Sequence, residues 1–398
     1  MYKFNSKKTG LILISLIPLG YILKEVFSYL PDLTLVFYLL LYILSFFVTV
    51  IKKQGFYLKR IDSLFYIWII LMIVGIFLSP TPFNGLFKLA KFIFLGLSII
   101  FFARLFINDR NDFNILLKYL LGLSFFTEII ILVDFIRSGA SIGRYLSFGS
   151  VNPIPLAMLG VITTAIVLVL YLYKKIRTRL FLIILFPSIA IIVISGSKGP
   201  IISLLISLIL ISPVLIKRLN FKTLSFIVIG VFALTRIPFI NQAFDILLYR
   251  FSNIENDIST SIRLDMYHDS LSVIKDNPIL GGGTGSLPTY PHNFFIEVLA
   301  ENGIITMLIV TILLSAFMLQ FLIFLRKRLK DYLATCINVI FIISFISLMF
   351  SFSYVDHKYM FLSIALLISY NQFGYPNDKV LSIEKKVNHN EYESKLAI

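Results

Sequence analysis

The chain contains twelve apolar runs, most of them close to the length that an α-helix needs to cross a lipid bilayer. They lie at 10–23, 33–51, 61–79, 86–103, 113–136, 153–173, 180–195, 200–216, 221–236, 302–325, 332–352 and 358–372. A spanning helix takes about 20 residues, and lipid offers no partner to an unpaired backbone N–H or C=O group. Apolar residues make up 58% of the chain and charged residues 14%, against about 45–50% and about 25% in soluble proteins. The sequence therefore predicts an all-α, polytopic integral membrane protein of about 12 transmembrane helices.

The basic residues predict how these spans are oriented. The net charge is +15, and cytoplasmic loops of membrane proteins collect Lys and Arg. When the amino terminus is placed inside, most of the Lys and Arg residues fall on the cytoplasmic side, with clusters at 52–60, 174–179 and 326–330. We therefore expect both termini in the cytoplasm. The charge follows from topology and predicts no nucleic-acid partner.

One long connection divides the predicted spans. Residues 1–236 carry transmembrane helices 1–9, residues 237–291 form a large external loop, residues 292–375 carry helices 10–12, and residues 376–398 form a polar cytoplasmic tail. Within the loop, apolar residues recur at helical spacing over 260–276, before Asn277-Pro278. This pattern predicts a short amphipathic helix that lies on the outer membrane face or caps the bundle.

The outer end of the predicted bundle holds the residue best suited to acid–base chemistry. Of four histidines, His268, His357 and His389 suit solvated or surface positions, whereas His292 ends the long loop where a span begins. An unperturbed imidazole has a pKa of about 6.5 and can accept a proton at neutral pH. The alternative is a histidine that caps the helix at the interface.

Several basic residues lie on the outer side, against the general bias: Arg144, Lys198 and Arg263, with Lys88 and Lys91 at the outer end of the fourth span. They either extend to phospholipid headgroups, as Lys and Arg commonly do, or line a cationic pocket. Such a pocket suits a phosphorylated, lipid-anchored substrate, because an arginine fork donates two parallel hydrogen bonds to phosphate.

Three further features bear on chemistry. Asn293, Glu297 and Glu301 recur every four residues, so they share one helix face, which we expect to point into the protein. The segment 281–285 is rich in glycine but lacks the spacing of a phosphate-binding loop, and we interpret it as a flexible turn. HExxH and Asp-x-Asp motifs are absent, and the single Cys336 excludes a multi-thiolate site, so the sequence predicts no metal and no cofactor.

Several short segments, most of them between residues 190 and 310, form a recognisable set: Arg263-Leu264, Asn277-Pro278-Ile279-Leu280-Gly281, His292-Asn293-Phe294-Phe295, Glu301-Asn302-Gly303-Ile304, Ser195-Gly196-Ser197-Lys198-Gly199 and, more loosely, Arg144 with Asn152-Pro153. Together these segments resemble the signature of the O-antigen ligase and polymerase superfamily. Lys198 stands where the family usually has arginine. That replacement keeps a charge but loses the bidentate fork.

The resemblance implies a bacterial plasma-membrane glycosyltransferase of the multi-span, GT-C-like class. Its donor is a polyprenyl-diphosphate-linked glycan on the outer membrane face, and transfer inverts the anomeric carbon without a metal. By this analogy Arg263, Lys198 and Arg144 bind the diphosphate, and His292 either accepts the proton of the attacking hydroxyl or orients that hydroxyl. The implied partners are lipid-linked oligosaccharides as donor and acceptor, membrane lipids, and the flippase and chain-length regulator of the same pathway.

Asn293, Glu297 and Glu301 are expected to support this site. Three functions stay open from the sequence. The first is a polymerase of lipid-linked repeat units of a surface polysaccharide, which the signature, the outward site and the modest loop favour. The second is a ligase that moves the glycan to another acceptor, such as lipid A core, protein or cell wall. The third, a lipid-linked glycan transporter, lacks the repeated halves typical of such folds.

Overall fold

In the computed structural model, the residues described are 5–26, 32–51, 53, 59–138, 152–219, 221–253 and 258–373, and they form helices and their connections without a strand. The first helices are α1 (Ser6–Leu16), α2 (Gly20–Val26), α3 (Leu33–Phe46), α4 (Arg60–Leu78), α5 (Pro82–Lys91), α6 (Ser98–Phe106) and α7 (Arg110–Ser138). The middle helices are α8 (Pro153–Leu172), α9 (Thr178–Ser195), α10 (Lys198–Leu210), α11 (Ser212–Arg218) and α12 (Phe221–Leu234). The last are α13 (Pro238–Ser252), α14 (Ile258–Asp276), α15 (Phe294–Lys327), α16 (Tyr332–Phe350) and α17 (Lys358–Phe373).

The prediction of an all-helical, polytopic membrane protein is confirmed. Nine helical segments within the described residues are long and apolar enough to cross a membrane, and the number reaches eleven if two bent pairs each count as one span. The pairs are α10 with α11, bent by 67°, and α12 with α13, bent by 99°. The last predicted run forms α17, whose 16 residues extend about 24 Å at 1.5 Å per residue, less than the bilayer core of about 30 Å.

The bundle has a buried centre and a lipid-like exterior. Helices α8 and α16 are the most buried of the candidate spans: 78% of the most apolar stretch of each helix is buried inside the protein. Helix α17 is also buried along most of its length. In α3, α4 and α15 only 28% of the corresponding stretch is buried, and large side chains such as Phe46 and Phe77 are 69% and 85% exposed. A continuous apolar exterior of this kind is expected of a surface that faces lipid.

Ion pairs hold the end of the bundle near the start of α4. Arg104 and Asp62 form a buried bidentate pair at 2.6 and 2.7 Å, and Lys7 lies 2.6 Å from Asp112. Residues 281–285 contact the far end of α4 at Gly75. The loop that leads to His292 therefore lies at the opposite end of the bundle from these pairs.

The glycine-rich segment 281–285 is tightly packed, so the prediction of a flexible turn there is wrong. Gly282 and Gly283 donate backbone hydrogen bonds of 2.8 and 3.0 Å to the start of α15, and the Thr284 amide donates at 3.1 Å to the carbonyl of Gly75. A Cβ atom at Gly283, which has a φ of 101°, would collide with the backbone of Ser79. Glycine is required at position 283 because φ is positive there and the backbone of Ser79 leaves no room for a side chain.

Helix α15 is interrupted near its start by Gly303, whose φ of 69° and ψ of −176° are not helical. A Cβ atom there would collide with the carbonyl of Ile279. The kink lets the amide of Ile304 donate at 3.0 Å to the carbonyl of Pro278. The Glu301-Asn302-Gly303 element is therefore locked onto the turn that follows α14, which positions the loop leading to His292.

Helices α13 and α14 occupy much of the predicted external loop. Helix α14 covers the segment 260–276 for which a helix is predicted, and α13 precedes it in a region where none was expected. Leu264 and Leu271 on α14 are 60% and 54% exposed. The tail at 376–398 and Arg144 lie outside the described residues.

Candidate functional site

His292 has an unusual backbone conformation immediately before α15. Its φ is 54°, in the left-handed region that non-glycine residues rarely adopt. The ring lies 4.3 Å from the Tyr290 ring, centroid to centroid, and Nδ1 lies 3.3 Å from the carbonyl oxygen of Ser351. Strained backbone of this kind costs about 1–3 kcal/mol and clusters at functional sites.

The contact with Ser351 determines which ring nitrogen of His292 can act as a base. A carbonyl only accepts, so Nδ1 carries the proton and donates it, and Nε2 keeps its lone pair. Burial lowers the pKa of the imidazole below its usual value of 6.5, and the positive charge of Arg263 lowers this pKa further, while the bond to Ser351 partly opposes the shift. The half-buried ring is therefore neutral at pH 7.

The lowered pKa of His292 predicts how the rate of glycan transfer depends on pH. Protonated imidazole cannot accept a proton, so transfer should fall as pH drops through this pKa, and the midpoint of that fall should lie below pH 6.5. We expect kcat/KM measured from pH 5 to 8 to show this acid limb. In Arg263→Gln the pKa of His292, followed by NMR of the imidazole, should be higher than in wild type, because a neighbouring positive charge is removed. A wild-type limb at or above pH 6.5 would contradict the assignment.

Arg263 lies in the first half of α14 and is half-buried. Its charge acts on His292 and also on the Tyr290 phenol, whose pKa burial raises to about 12. The structure thus brings together two residues that are separated in sequence by the whole turn after α14. A cation beside a neutral base suits a reaction in which negative charge develops on the leaving group.

The turn 195–199 connects α9 to α10 and contains Lys198. Gly196 has a φ of 60°, Lys198 Nζ donates at 3.2 Å to the carbonyl of Arg250, and the Arg250 guanidinium donates to the carbonyl of Gly196. A Cβ atom at Gly199 would collide with the Ser351 hydroxyl. Gly199 and His292 therefore both contact Ser351, so the turn and the histidine are neighbours, although Lys198 itself contacts α13.

Asn293, the residue after His292, caps α15. Its side-chain oxygen accepts from the amides of Phe295 and Ile296 at 3.0 and 3.2 Å. Such caps typically stabilise a helix by about 1 kcal/mol. The capped start of α15 fixes the position of the neighbouring His292 backbone.

Glu297 and Glu301 are buried, as their spacing predicts, at 0% and 1% exposure. Lys88 of α5 lies between them, with its ammonium 2.6 Å from Glu297 and 2.8 Å from Glu301. The same ammonium lies 4.7 Å from the centre of the Tyr354 ring. Lys88 therefore does not extend to lipid headgroups but forms a buried ion cluster with the two carboxylates.

The segment after α16 closes around this cluster. The Ser353 hydroxyl donates to Glu297 at 2.6 Å, and the Tyr354 amide donates to the same carboxylate at 3.3 Å. The Tyr354 hydroxyl donates to Glu301 at 3.4 Å. Because Ser351 precedes Ser353 by two residues, the cluster holds the chain whose carbonyl accepts from His292.

Sequence reasoning missed Ser351, Ser353 and Tyr354 as parts of the site, and it did not pair Lys88 with the two glutamates. Ser351, Ser353 and Tyr354 belong to a short connection with no motif of its own. Lys88 did carry a signal, since a charge within an apolar run must find a partner, and two acids on one helix face were available. Pairing residues 209 positions apart, as Lys88 and Glu297 are, required the fold.

Comparison with known proteins found one family model that covers the part of the chain holding several of these residues. A family model described as O-antigen ligase matches residues 183–311, a range that contains Lys198, Arg263, His292, Asn293, Glu297 and Glu301. No curated protein matches the chain significantly. The family match supports a ligase or polymerase type of function in a multi-pass membrane protein. Over residues 183–311, the chain is similar to the O-antigen ligase family.

Proposed function

We propose that the protein is a polymerase of a bacterial surface polysaccharide (O antigen, capsule or exopolysaccharide). The observation that carries the proposal is the neutral His292 imidazole, with Nε2 available as a base, beside the cation Arg263. A base next to a cation is the pair that glycosyl transfer from a diphosphate requires.

In the proposed reaction, a hydroxyl of one lipid-linked repeat unit attacks the anomeric carbon of another. His292 Nε2 takes the hydroxyl proton as the new C–O bond forms, and the bond between the anomeric carbon and the diphosphate oxygen breaks. Polyprenyl diphosphate leaves with the electron pair, and Arg263, Lys198 and Arg144 stabilise its charge. In-line attack inverts the anomeric carbon, and because diphosphate is a good leaving group we propose that no metal ion is needed.

A ligase is the second candidate, because the matching family model is described as O-antigen ligase. Ligase and polymerase share the donor and the base and differ in the acceptor, which would be lipid A core, protein or cell wall. The modest external loop and the outward site favour the polymerase.

Purified protein in nanodiscs with one polyprenyl-diphosphate-linked repeat unit tests the proposal. A polymerase should form a series of products that contain two, three or more repeat units, which mass spectrometry resolves, and should release polyprenyl diphosphate. A single transfer that appears only when another acceptor is added would make the protein a ligase. Wild-type protein that forms no product with any donor and acceptor pair would contradict transferase function.

Arg263 is expected to bind the diphosphate of the donor. Arg263→Ala should abolish transfer, and Arg263→Lys should weaken donor binding about tenfold or more, because an ammonium keeps the charge but loses the fork. Donor affinity can be measured by titration of the lipid-linked unit. Arg236→Ala, an exposed arginine at the end of α12, is the matched control. Unchanged donor affinity in both Arg263 variants would remove Arg263 from the site.

We propose that the site lies on the outer face of the plasma membrane and that both termini lie in the cytoplasm. We also propose that a flippase and a chain-length regulator act in the same pathway as this protein. Cysteines introduced at the exposed positions Asp269 and Lys275 of α14 should react with an impermeant maleimide in intact spheroplasts. The native Cys336 is buried and should give little background. Lys217→Cys, on the predicted inner side, should react only after permeabilisation. The opposite pattern would invert the topology and exclude an outward site.

A further inference from the structure

Tyr290 is the aromatic side chain that packs against the proposed base. The centres of the Tyr290 and His292 rings are 4.3 Å apart, and the ring planes are inclined by 54°, so the two rings are in direct contact. Pro291 lies between the two residues, fixes its own φ and restricts Tyr290 to extended conformations. The backbone between the rings therefore has little freedom to move them apart.

The hydrogen bond to Ser351 does not by itself fix the imidazole of His292. Nδ1 lies 3.3 Å from the Ser351 carbonyl oxygen, whereas N–H···O bonds are usually about 2.7–3.2 Å long. The last side-chain torsion of histidine has two broad minima. A half-turn about it would put a carbon in the place of Nδ1 and would move Nε2 as well. The base needs a second contact to stay in one orientation.

A polar cavity of about 400 Å³ lies next to this pair of rings. Its described wall includes Tyr290 and Ser351 but not His292. Four charged residues also line the cavity: Asp32, Lys91, Asp356 and Lys358. A cavity of this size with charged groups in its wall is large enough and polar enough to hold water. Because Tyr290 and Ser351 both contact the imidazole, they lie between it and the cavity.

Water in contact with the imidazole would change its chemistry. The Ser351 carbonyl accepts only from a protonated Nδ1, whereas water can donate or accept and therefore stabilises both neutral tautomers. Water also stabilises the charged imidazolium. Burial is the largest cause of the lowered pKa of His292, so hydration of the ring would raise this pKa. A side chain that keeps water away preserves both the tautomer and the neutral state of the base.

We propose that Tyr290 is a positioning residue for the general base. Its ring packs on the His292 imidazole and separates it from the cavity, so that Nδ1 keeps its bond to Ser351 and Nε2 remains the accepting nitrogen. The inference rests on the proposed function, in which His292 takes the proton of the attacking hydroxyl. The aromatic ring has this role and the phenol hydroxyl does not, so phenylalanine should replace Tyr290 and leucine should not.

The tautomer of His292 tests the proposal without any substrate. Full-length protein in nanodiscs is prepared with isotope-labelled histidine for nitrogen NMR, and the signals of His292 are identified by their loss in His292→Asn. Wild type and Tyr290→Phe should show mainly the tautomer with the proton on Nδ1. In Tyr290→Leu the tautomer with the proton on Nε2 should appear, and the imidazole pKa should rise toward 6.5. Tyr66→Leu, at an exposed position of α4, is the matched control and should give the wild-type spectrum.

Kinetics separates positioning of the base from contact with the substrate. Tyr290→Leu should lower kcat by about tenfold to 10²-fold, because a displaced base is out of line with the proton that it takes. The KM for the lipid-linked repeat unit should stay within about twofold of wild type, because the ring acts on His292 and not on the donor. Tyr290→Phe should restore kcat.

Two results would overturn the proposal. One is a Tyr290→Leu protein in which His292 has the wild-type tautomer and pKa. The other is a Tyr290→Phe protein that loses as much activity as Tyr290→Leu while its imidazole is unchanged, which would assign the Tyr290 hydroxyl to the substrate. A change of tautomer in the leucine variant would support the positioning role even if wild-type protein transferred nothing and the polymerase proposal failed.

Discussion

Replacement of His292 with alanine is expected to lower glycan transfer by about 10²–10⁴-fold, the usual contribution of a positioned general base. The neutral imidazole donates through Nδ1 to Ser351 and presents Nε2 as the acceptor, a role that a methyl group cannot take. The measurement is the rate of product formation from the lipid-linked repeat unit, with the amount of folded protein checked by gel filtration.

Two variants separate chemistry from folding. His292→Asn keeps a residue that tolerates the left-handed conformation at φ 54° but cannot act as a base, so it should be as inactive as the alanine variant. His268→Ala, at an exposed position on α14, should retain wild-type activity. A His292→Ala protein that elongates glycan at the wild-type rate would show that the catalytic assignment is wrong.

The same variant distinguishes a transferase from a transporter of lipid-linked glycans. A transporter should tolerate an alanine at this end of the bundle and still move its substrate. A transferase should bind the donor and fail to turn it over. Donor binding without product in His292→Ala would therefore favour the enzyme.

Replacement of Lys88 with methionine is expected to destabilise the fold by about 3–5 kcal/mol, the cost of removing one partner from a buried ion pair. Glu297 and Glu301, at 0% and 1% exposure, would then share a site without a counter-charge. Loss of the cluster should also release Ser353 and Tyr354, so that the carbonyl of Ser351 no longer holds His292. We expect a lower denaturation temperature together with a loss of transfer.

Matched variants test the cause of this loss. Lys118→Met removes an exposed lysine from α7 and should leave the denaturation temperature unchanged. Combining Lys88→Met with Glu297→Gln and Glu301→Gln removes the uncompensated charge and should recover much of the stability, because neutral groups avoid the desolvation penalty. If Lys88→Met and Lys118→Met unfold at the same temperature, the cluster does not stabilise the protein.

The helical architecture could be predicted from the sequence because the cause is local. Each apolar run must satisfy its own backbone in lipid, and a helix does so without help from distant residues. The bends between α10 and α11 and between α12 and α13 were not predicted, nor was α13 as a separate helix. A proline at the start of α13 permits a break, but the angle depends on what the helix packs against.

The candidate site was predictable only in part. The motifs that contain Arg263 and His292 indicated that the two residues act together, and the structure places the arginine close enough to shift the pKa of the histidine. The glycine-rich segment was misjudged, because the groups that hold it, such as the carbonyl of Gly75, belong to a helix far away in sequence. Composition alone could not distinguish a flexible turn from a packed one.

The sequence by itself determined that the chain is a helical membrane protein and which residues carry ionisable groups into it. Hydrophobic length and backbone hydrogen bonding act within each segment, so no tertiary information was needed. Only the tertiary structure decided that Lys88 pairs with Glu297 and Glu301, and that Ser351 joins His292 to the turn at Gly199. Buried charges and buried donors require partners, but several candidates were available in the sequence, and only packing of the helices selects among them.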